Sequence, residues 1–276
     1  METKEKMEAL PQRVTGTDAI GGLNLDSEKF PDAMGWRAKF GVLTPAPNTI
    51  VESEFHEMAP LGVINIVNRY YVPNQKVRGD DDWRLIMAHT RSNVANAVDG
   101  LVQAQMDHLI MGMSSESFMG GVEGSMALRK ELRERAGCDV TVGAEAAERA
   151  FETVGAKKIA LLTPYYPVID QNAVRYFTER GYEVVATEGL KCKSIIHVGS
   201  QRADTLIPAV KKLAEAKPDA IVQLGTNLRF AHIADEAERW LGLPVFSVGT
   251  AMYWTALRKM GIRDQFPGFG SLLEKH

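Results

Sequence analysis

The sequence predicts an α/β protein of two pseudo-symmetric halves, each a parallel sheet covered by helices on both faces, with a cleft between them. Three observations carry this. From Trp36 onward, short β-rich runs alternate with helical patterns, the rhythm of a parallel sheet wrapped by helices. The sequence contains an internal repeat: FGVLTP at residues 40–45 matches IALLTP at 159–164, and DHLIMGMS at 107–114 matches DAIVQLGT at 219–226. Finally, the repeats set small hydroxyl residues just beyond buried strands, and open α/β sheets bind ligands outside the carboxyl ends of their strands.

In chain order, residues 1–36 mix charges with Gly, Pro, Asp and Thr without a sustained period, and read as an N-terminal arm outside the core. Residues 37–142 form the first half. Strands are expected at 39–43, 63–71 and 109–113, with helices at 50–58, 81–105 and 122–135, the last ended by Gly137. Residues 143–250 form the second half, with helices at 144–154, 168–180, 203–216 and 230–241. Its strands fall at 158–162, 183–186, 220–224 and 245–248. A C-terminal helical region, 251–276, is expected to join the first half.

Composition narrows the function. The chain has 276 residues, 45% of them hydrophobic, and a net charge of −3, so there is no basic footprint for nucleic acid or anionic lipid. Apolar runs are far shorter than the roughly 20 residues that span a bilayer, and the charged N-terminus lacks a signal-peptide core. The expected setting is cytoplasmic, with no nucleic-acid or membrane partner. Cys138 and Cys192 make no disulfide framework, and no Cys/His spacing suits zinc. With neither GxGxxG after a strand nor GxxxxGK[ST], no cofactor and no metal are expected. A homo-oligomer is left open.

Four loops follow the repeat strands. The first, Leu43-Thr44-Pro45-Ala46-Pro47-Asn48-Thr49, offers a side chain that either caps the next helix or helps its N-terminus hold a carboxylate. The second, Met113-Ser114-Ser115-Glu116-Ser117-Phe118, followed by Gly120-Gly121, clusters hydroxyls ahead of a helix. This arrangement suits an oxyanion site or an ordinary turn. Tyr165 in the third brings a phenol donor, although a Tyr after Pro also serves packing. The fourth, Gly225-Thr226-Asn227, brings open backbone and a hydroxyl. Glu116 is the only carboxylate in these loops, a general base if buried and otherwise a solvated helix-start acid. His232, early in the following helix, either reaches the cleft or lies on the surface.

These segments resemble the aspartate/glutamate racemase superfamily, in particular its branch of maleate cis-trans isomerases and arylmalonate decarboxylases. The resemblance rests on GVLTPAPNTIVE (41–52), IMGMSSESFMGG (110–121), IALLTPYY (159–166), AIVQLGTNL (220–228) and PVFSVGTAMYWTALRKMG (244–261). It implies two flavodoxin-like halves, a cofactor-free active site between them and a small carboxylate substrate. By position, Met113 and Gly225 stand where such enzymes carry cysteines, and Cys138 and Cys192 fall outside the motifs. Asn48, Ser114, Ser115 and Tyr165 match the carboxylate-holding positions, and Thr226 follows the second cysteine position. The implied function is a cofactor-independent lyase or isomerase on a small dicarboxylate, decarboxylase-like and without a catalytic cysteine. In that reading Ser114, Ser115, Tyr165 and Glu116 are catalytic, and Thr44, Pro45, Asn48, Met113, Gly225, Thr226, Asn227 and His232 bind substrate. Alternatives are a cis-trans isomerase or hydratase on an unsaturated diacid, or a carboxylate-binding protein without catalysis. On the same likeness, Gly225→Cys is expected to restore a proton donor.

Overall fold

A computed structural model describes residues 32–276. The arm expected at 1–36 lies, up to residue 31, outside the described residues. At its end, Arg37 Nη1 donates to Asp264 Oδ1 at 2.8 Å and ties the chain entering the core to the C-terminal region.

Two four-stranded parallel sheets form the frame. The first is built from β1 (Ala38–Pro45), β2 (Val63–Tyr70), β3 (His108–Met111) and β4 (Asp139–Thr141), in the order β2-β1-β3-β4. The second uses β5 (Lys158–Thr163), β6 (Glu183–Gly189), β7 (Ala220–Gln223) and β8 (Val245–Ser247), in the equivalent order β6-β5-β7-β8. The central strands β3 and β7 are buried throughout, which accounts for their continuous apolar runs.

The sequence repeat is preserved bond for bond. Asp107 N–H donates to Lys39 O at 2.8 Å while Asp107 Oδ2 accepts from Lys39 N–H. Asp219 does the same with Lys158, at 2.7 Å in each direction. At the other end of the strands, Gly112 N–H donates to Leu43 O and Leu224 N–H to Leu162 O, both at 2.7 Å. Met113 and Gly225, the next residues, therefore leave equivalent strand ends.

Helices α1 (Val51–Glu57), α2 (Asp80–Val102), α3 (Gly121–Ala136) and α4 (Gly143–Val154) follow the strands of the first sheet. A single 3-10 turn, Ser115–Phe118, separates β3 from α3. In the second half come α5 (Pro167–Glu179), the short α6 (Ile195–Gly199), α7 (Ala203–Ala214) and α8 (Ala231–Leu241). Then α9 (Val248–Lys259) packs against β3, β4, α1 and α4 as well as β8, and α10 (Ser271–Lys275) packs on α9. The short α6 and the 3-10 turn have no counterpart in the sequence-based reading. Among the described residues no helix is long and apolar enough to cross a membrane.

Candidate active site

The carboxyl ends of β1, β3, β5 and β7 meet between the two sheets, and their loops hydrogen-bond to one another. Asn48 Oδ1 accepts from the backbone N–H groups of Ile50 and Val51, both at 3.0 Å, so it caps α1. Its amide also reaches the other half, donating to Thr226 Oγ1 at 3.2 Å. Capping and cleft-building are therefore both served by one side chain. Thr226 Oγ1 in turn donates to Gly112 O at 2.8 Å. Asn227 adds a parallel bridge, accepting from Thr49 N–H at 2.9 Å and donating to Ile195 O at 2.6 Å.

Ser114 precedes the 3-10 turn and lies 3.2 Å from the Tyr165 hydroxyl, oxygen to oxygen, across the interface between halves. The N-terminus of α4 holds this turn: Ala144 N–H donates to Ser117 Oγ at 2.9 Å, and Ser117 Oγ donates to Ser114 O at 2.6 Å. Gly143 makes that approach possible, since a Cβ there would lie 2.7 Å from Ser114 Cβ. Burial pushes the Tyr165 phenol up to about 12, partly offset by hydrogen bonds with Ser114 and Ser115. At neutral pH the phenol is thus a protonated donor.

A cavity of about 40 Å³, room for a few waters, lies at this junction. Pro45, Asn48, Met113, Ser115, Tyr165, Gly225, Thr226 and Asn227 line it. Ser114 joins through Tyr165, and Thr44 lies buried behind, with its hydroxyl 3.4 Å from Gly112 O. Four further lining residues, Trp83, Pro164, Ile195 and Val198, were not among the sequence candidates. Trp83 belongs to the buried face of α2, and a helical period reads only as packing; Pro164 does lie within the quoted repeat, which was a usable signal.

Glu116 and His232 are placed elsewhere. Consecutive residues of a 3-10 turn project about 120° apart, so Glu116 turns away from Ser115. Its Oε1 accepts from Arg91 Nε at 2.5 Å, and it lines a separate cavity between α2 and α3 with Thr90 and Glu131. Burial raises its carboxyl above the ordinary value despite Arg91. His232, in the first turn of α8, bridges Gly268 O and Glu57, each at 2.8 Å. Neither lines the serine–tyrosine cavity.

The two strand-end positions carry no thiol. The Met113 thioether is buried and accepts a hydrogen bond from Tyr70 at 2.9 Å. Gly225 has φ +115°, and a Cβ there would lie 2.6 Å from Pro164 Cγ. Only glycine is comfortable in that conformation, so the cysteine expected to restore a proton donor at 225 would be strained and pressed against the cavity wall at Pro164. Cys138 is half-buried and Cys192 buried, and neither is among the lining residues. Burial pushes the Cys192 thiol up to about 12.

Two similar parallel α/β halves with a hydroxyl-lined junction define a class of protein seen in solved structures. The chain superposes on Nocardia farcinica maleate cis-trans isomerase, carrying a covalently bound succinylcysteine intermediate, with a TM-score of 0.78 at 20% identity. That alignment covers 87% of this chain and 99% of the other. It also superposes on arylmalonate decarboxylase with a TM-score of 0.67 at 21% identity, over 85% of this chain and 98% of the other. The family model described as arylmalonate decarboxylase matches residues 91–273, and the chain belongs to that family. Among curated relatives, it is 33% identical to a maleate isomerase of Geobacillus stearothermophilus over 45% of this chain and 49% of the relative. The match thus spans about half of that relative's length. Identity to the arylmalonate decarboxylase of Bordetella bronchiseptica is 25%, over 64% of this chain and 80% of that enzyme.

Proposed function

We propose that this chain is a cofactor-independent enzyme acting on a small dicarboxylate, a decarboxylase-like lyase that works through an oxyanion pocket rather than a cysteine. The observation that carries the reading is the meeting of Ser114 and Tyr165 hydroxyls across the cleft, beside a cavity lined by Ser115 and bare of sulfhydryls. The family membership adds weight, since arylmalonates and maleate are both small diacids.

In this mechanism one carboxylate is held by Ser114, Ser115 and Tyr165. The other carboxylate faces the apolar wall of Met113, Pro164, Ile195 and Val198, where its charge is poorly solvated. The carbon–carbon bond to it breaks, carbon dioxide leaves, and the electron pair moves into an enediolate on the retained carboxylate. Neutral hydroxyl donors fixed in place stabilise that developing charge, the arrangement most effective where water is excluded. A water held at Thr226 delivers one proton to the carbon, and the hydroxide left behind is taken up by the released carbon dioxide as bicarbonate. Glu116, paired with Arg91 in another cavity, takes no part.

The 33% identity to a maleate isomerase favours a second reading, cis-trans isomerisation of an unsaturated diacid. Proton NMR of phenylmalonate and maleate in deuterated water separates the two. Decarboxylation yields phenylacetate deuterated at its α-carbon; isomerisation yields fumarate. In either case the Cys138→Ala/Cys192→Ala double variant should retain most of the rate. A folded double variant that has lost turnover would overturn the thiol-free mechanism.

A further inference from the structure

Trp83 is 2% exposed, lines the cavity, and meets the Tyr165 ring edge-on with centroids 5.2 Å apart. Its indole Nε1–H is buried without any hydrogen-bond partner. A buried indole normally finds an acceptor, and leaving one unpaired costs free energy. The lining groups that could accept are engaged elsewhere: Met113 with Tyr70, the Tyr165 hydroxyl with Ser114, Asn48 Oδ1 with Ile50 and Val51, and Asn227 Oδ1 with Thr49, while Pro164, Ile195 and Val198 are apolar. The donor is therefore unsatisfied in a site that otherwise pairs its polar groups closely, from Asn48 to Thr226 and Asn227.

We infer that Trp83 is a specificity-determining residue whose indole N–H donates to an oxygen of the bound acid, in addition to the carboxylate held by Ser114, Ser115 and Tyr165. This rests on the carboxylate-holding role proposed for that cluster. A hydrogen bond to a leaving carboxylate would hold its charge in the ground state and slow its departure. The acceptor at Trp83 therefore belongs to a group the substrate keeps, such as a hydroxyl or ether oxygen on the central carbon. The substrate class is a malonate-type diacid with an oxygen substituent, rather than one with a purely hydrocarbon side group. Sites built to hydrogen-bond a substrate group discriminate strongly against analogues that lack it.

The test uses the full chain labelled with 15N at its tryptophan indoles, with hydroxymalonate and its near-isostere methylmalonate as probes. The Trp83 indole signal is assigned by its loss in Trp83→Phe. Hydroxymalonate should move that signal downfield and leave those of Trp36, Trp240 and Trp254 in place, whereas methylmalonate should not produce the downfield move. Wild-type protein should bind hydroxymalonate about tenfold more tightly than methylmalonate, the size of one good hydrogen bond, and Trp83→Phe should abolish the difference. An unmoved indole signal at saturating hydroxymalonate, or an unchanged preference in folded Trp83→Phe, overturns the inference while the proposed function stands. Failure of the wild type to bind either malonate overturns the inference, and if the same protein turns over neither phenylmalonate nor maleate the proposed function falls with it.

Discussion

Ser114 and Tyr165 sit 51 residues apart in sequence, in different halves of the molecule, yet their hydroxyl oxygens are 3.2 Å apart. This contact and the Asn48–Thr226 bond, 178 residues apart, link the strand ends of one sheet to those of the other. The site is thus a product of how the halves dock. A disturbance of the interface should register in activity before it registers in folding.

Gly143 offers a direct case. An added methyl would fall 2.7 Å from Ser114 Cβ and 3.1 Å from its Cα. Overpacking of this kind costs typically about 1–3 kcal/mol, and here the side chain that must move is the one facing Tyr165. Gly143→Ala is expected to cut kcat by at least tenfold while the protein still unfolds cooperatively, as checked by steady-state kinetics alongside urea denaturation. Unaltered kinetics would mean that Ser114 need not hold its position.

Gly225 gives the opposite balance. Its φ of +115° and the 2.6 Å approach to Pro164 Cγ penalise any side chain. Gly225→Cys should lower stability by about 2 kcal/mol or more and create no new thiol-dependent activity. The checks are a denaturation midpoint and a rate measured with and without iodoacetamide. A stable variant with alkylation-sensitive turnover would show that the loop accepts the substitution.

The halves are also joined by a titratable clamp. Glu54 on α1 is buried, and its Oε1 accepts from Phe230 N–H at 3.1 Å and Ala231 N–H at 3.2 Å at the start of α8. Burial pushes its carboxyl up to about 7 despite those bonds. The folded protein keeps this proton to about pH 7, whereas the unfolded chain releases it near the ordinary carboxyl value of 4.5. The folded state then binds more protons in that window, so stability falls as pH rises from 4.5 to 7. At about 1.4 kcal/mol per unit the fall approaches about 3 kcal/mol. His232 shifts the same way: its hydrogen bonds to Glu57 and Gly268 outweigh the lowering by burial, so its contribution is also lost as pH rises. Urea unfolding at pH 5 and pH 8 checks this, with Glu54→Gln expected to flatten most of the dependence; an equally steep profile in the variant would assign it to other groups.

Much of this was legible in the sequence because it is local. The central strands β1, β3, β5 and β7 are almost wholly buried, so they must be apolar, and their repeat showed as FGVLTP and IALLTP. The residues immediately after them, Met113 to Ser115, Tyr165 and Gly225 to Asn227, inherit their place from strand ends alone. Trp83, Ile195 and Val198 were not legible, since they reach the cavity from helices whose direction depends on long-range docking. Glu116 lines a different cavity for a geometric reason: adjacency to Ser115 in sequence becomes divergence on a tight turn. The crossing of residues 71–79 over the second half is equally non-local. Val77 N–H donates to Lys193 O at 2.7 Å, and Ile196 N–H to Asn74 Oδ1 at 3.2 Å.

The most direct test of the central claim is the turnover of phenylmalonate and maleate by Ser115→Ala against wild type, followed by proton NMR in deuterated water. Ser115 lines the cavity, helps hold the Tyr165 phenol and is 1% exposed. If the hydroxyl cluster stabilises an enediolate, the variant loses about 10²- to 10³-fold in rate, the usual cost of one oxyanion donor, while its thermal unfolding stays close to wild type. Equal turnover by the two proteins, or none by the wild type on either diacid, would contradict the account.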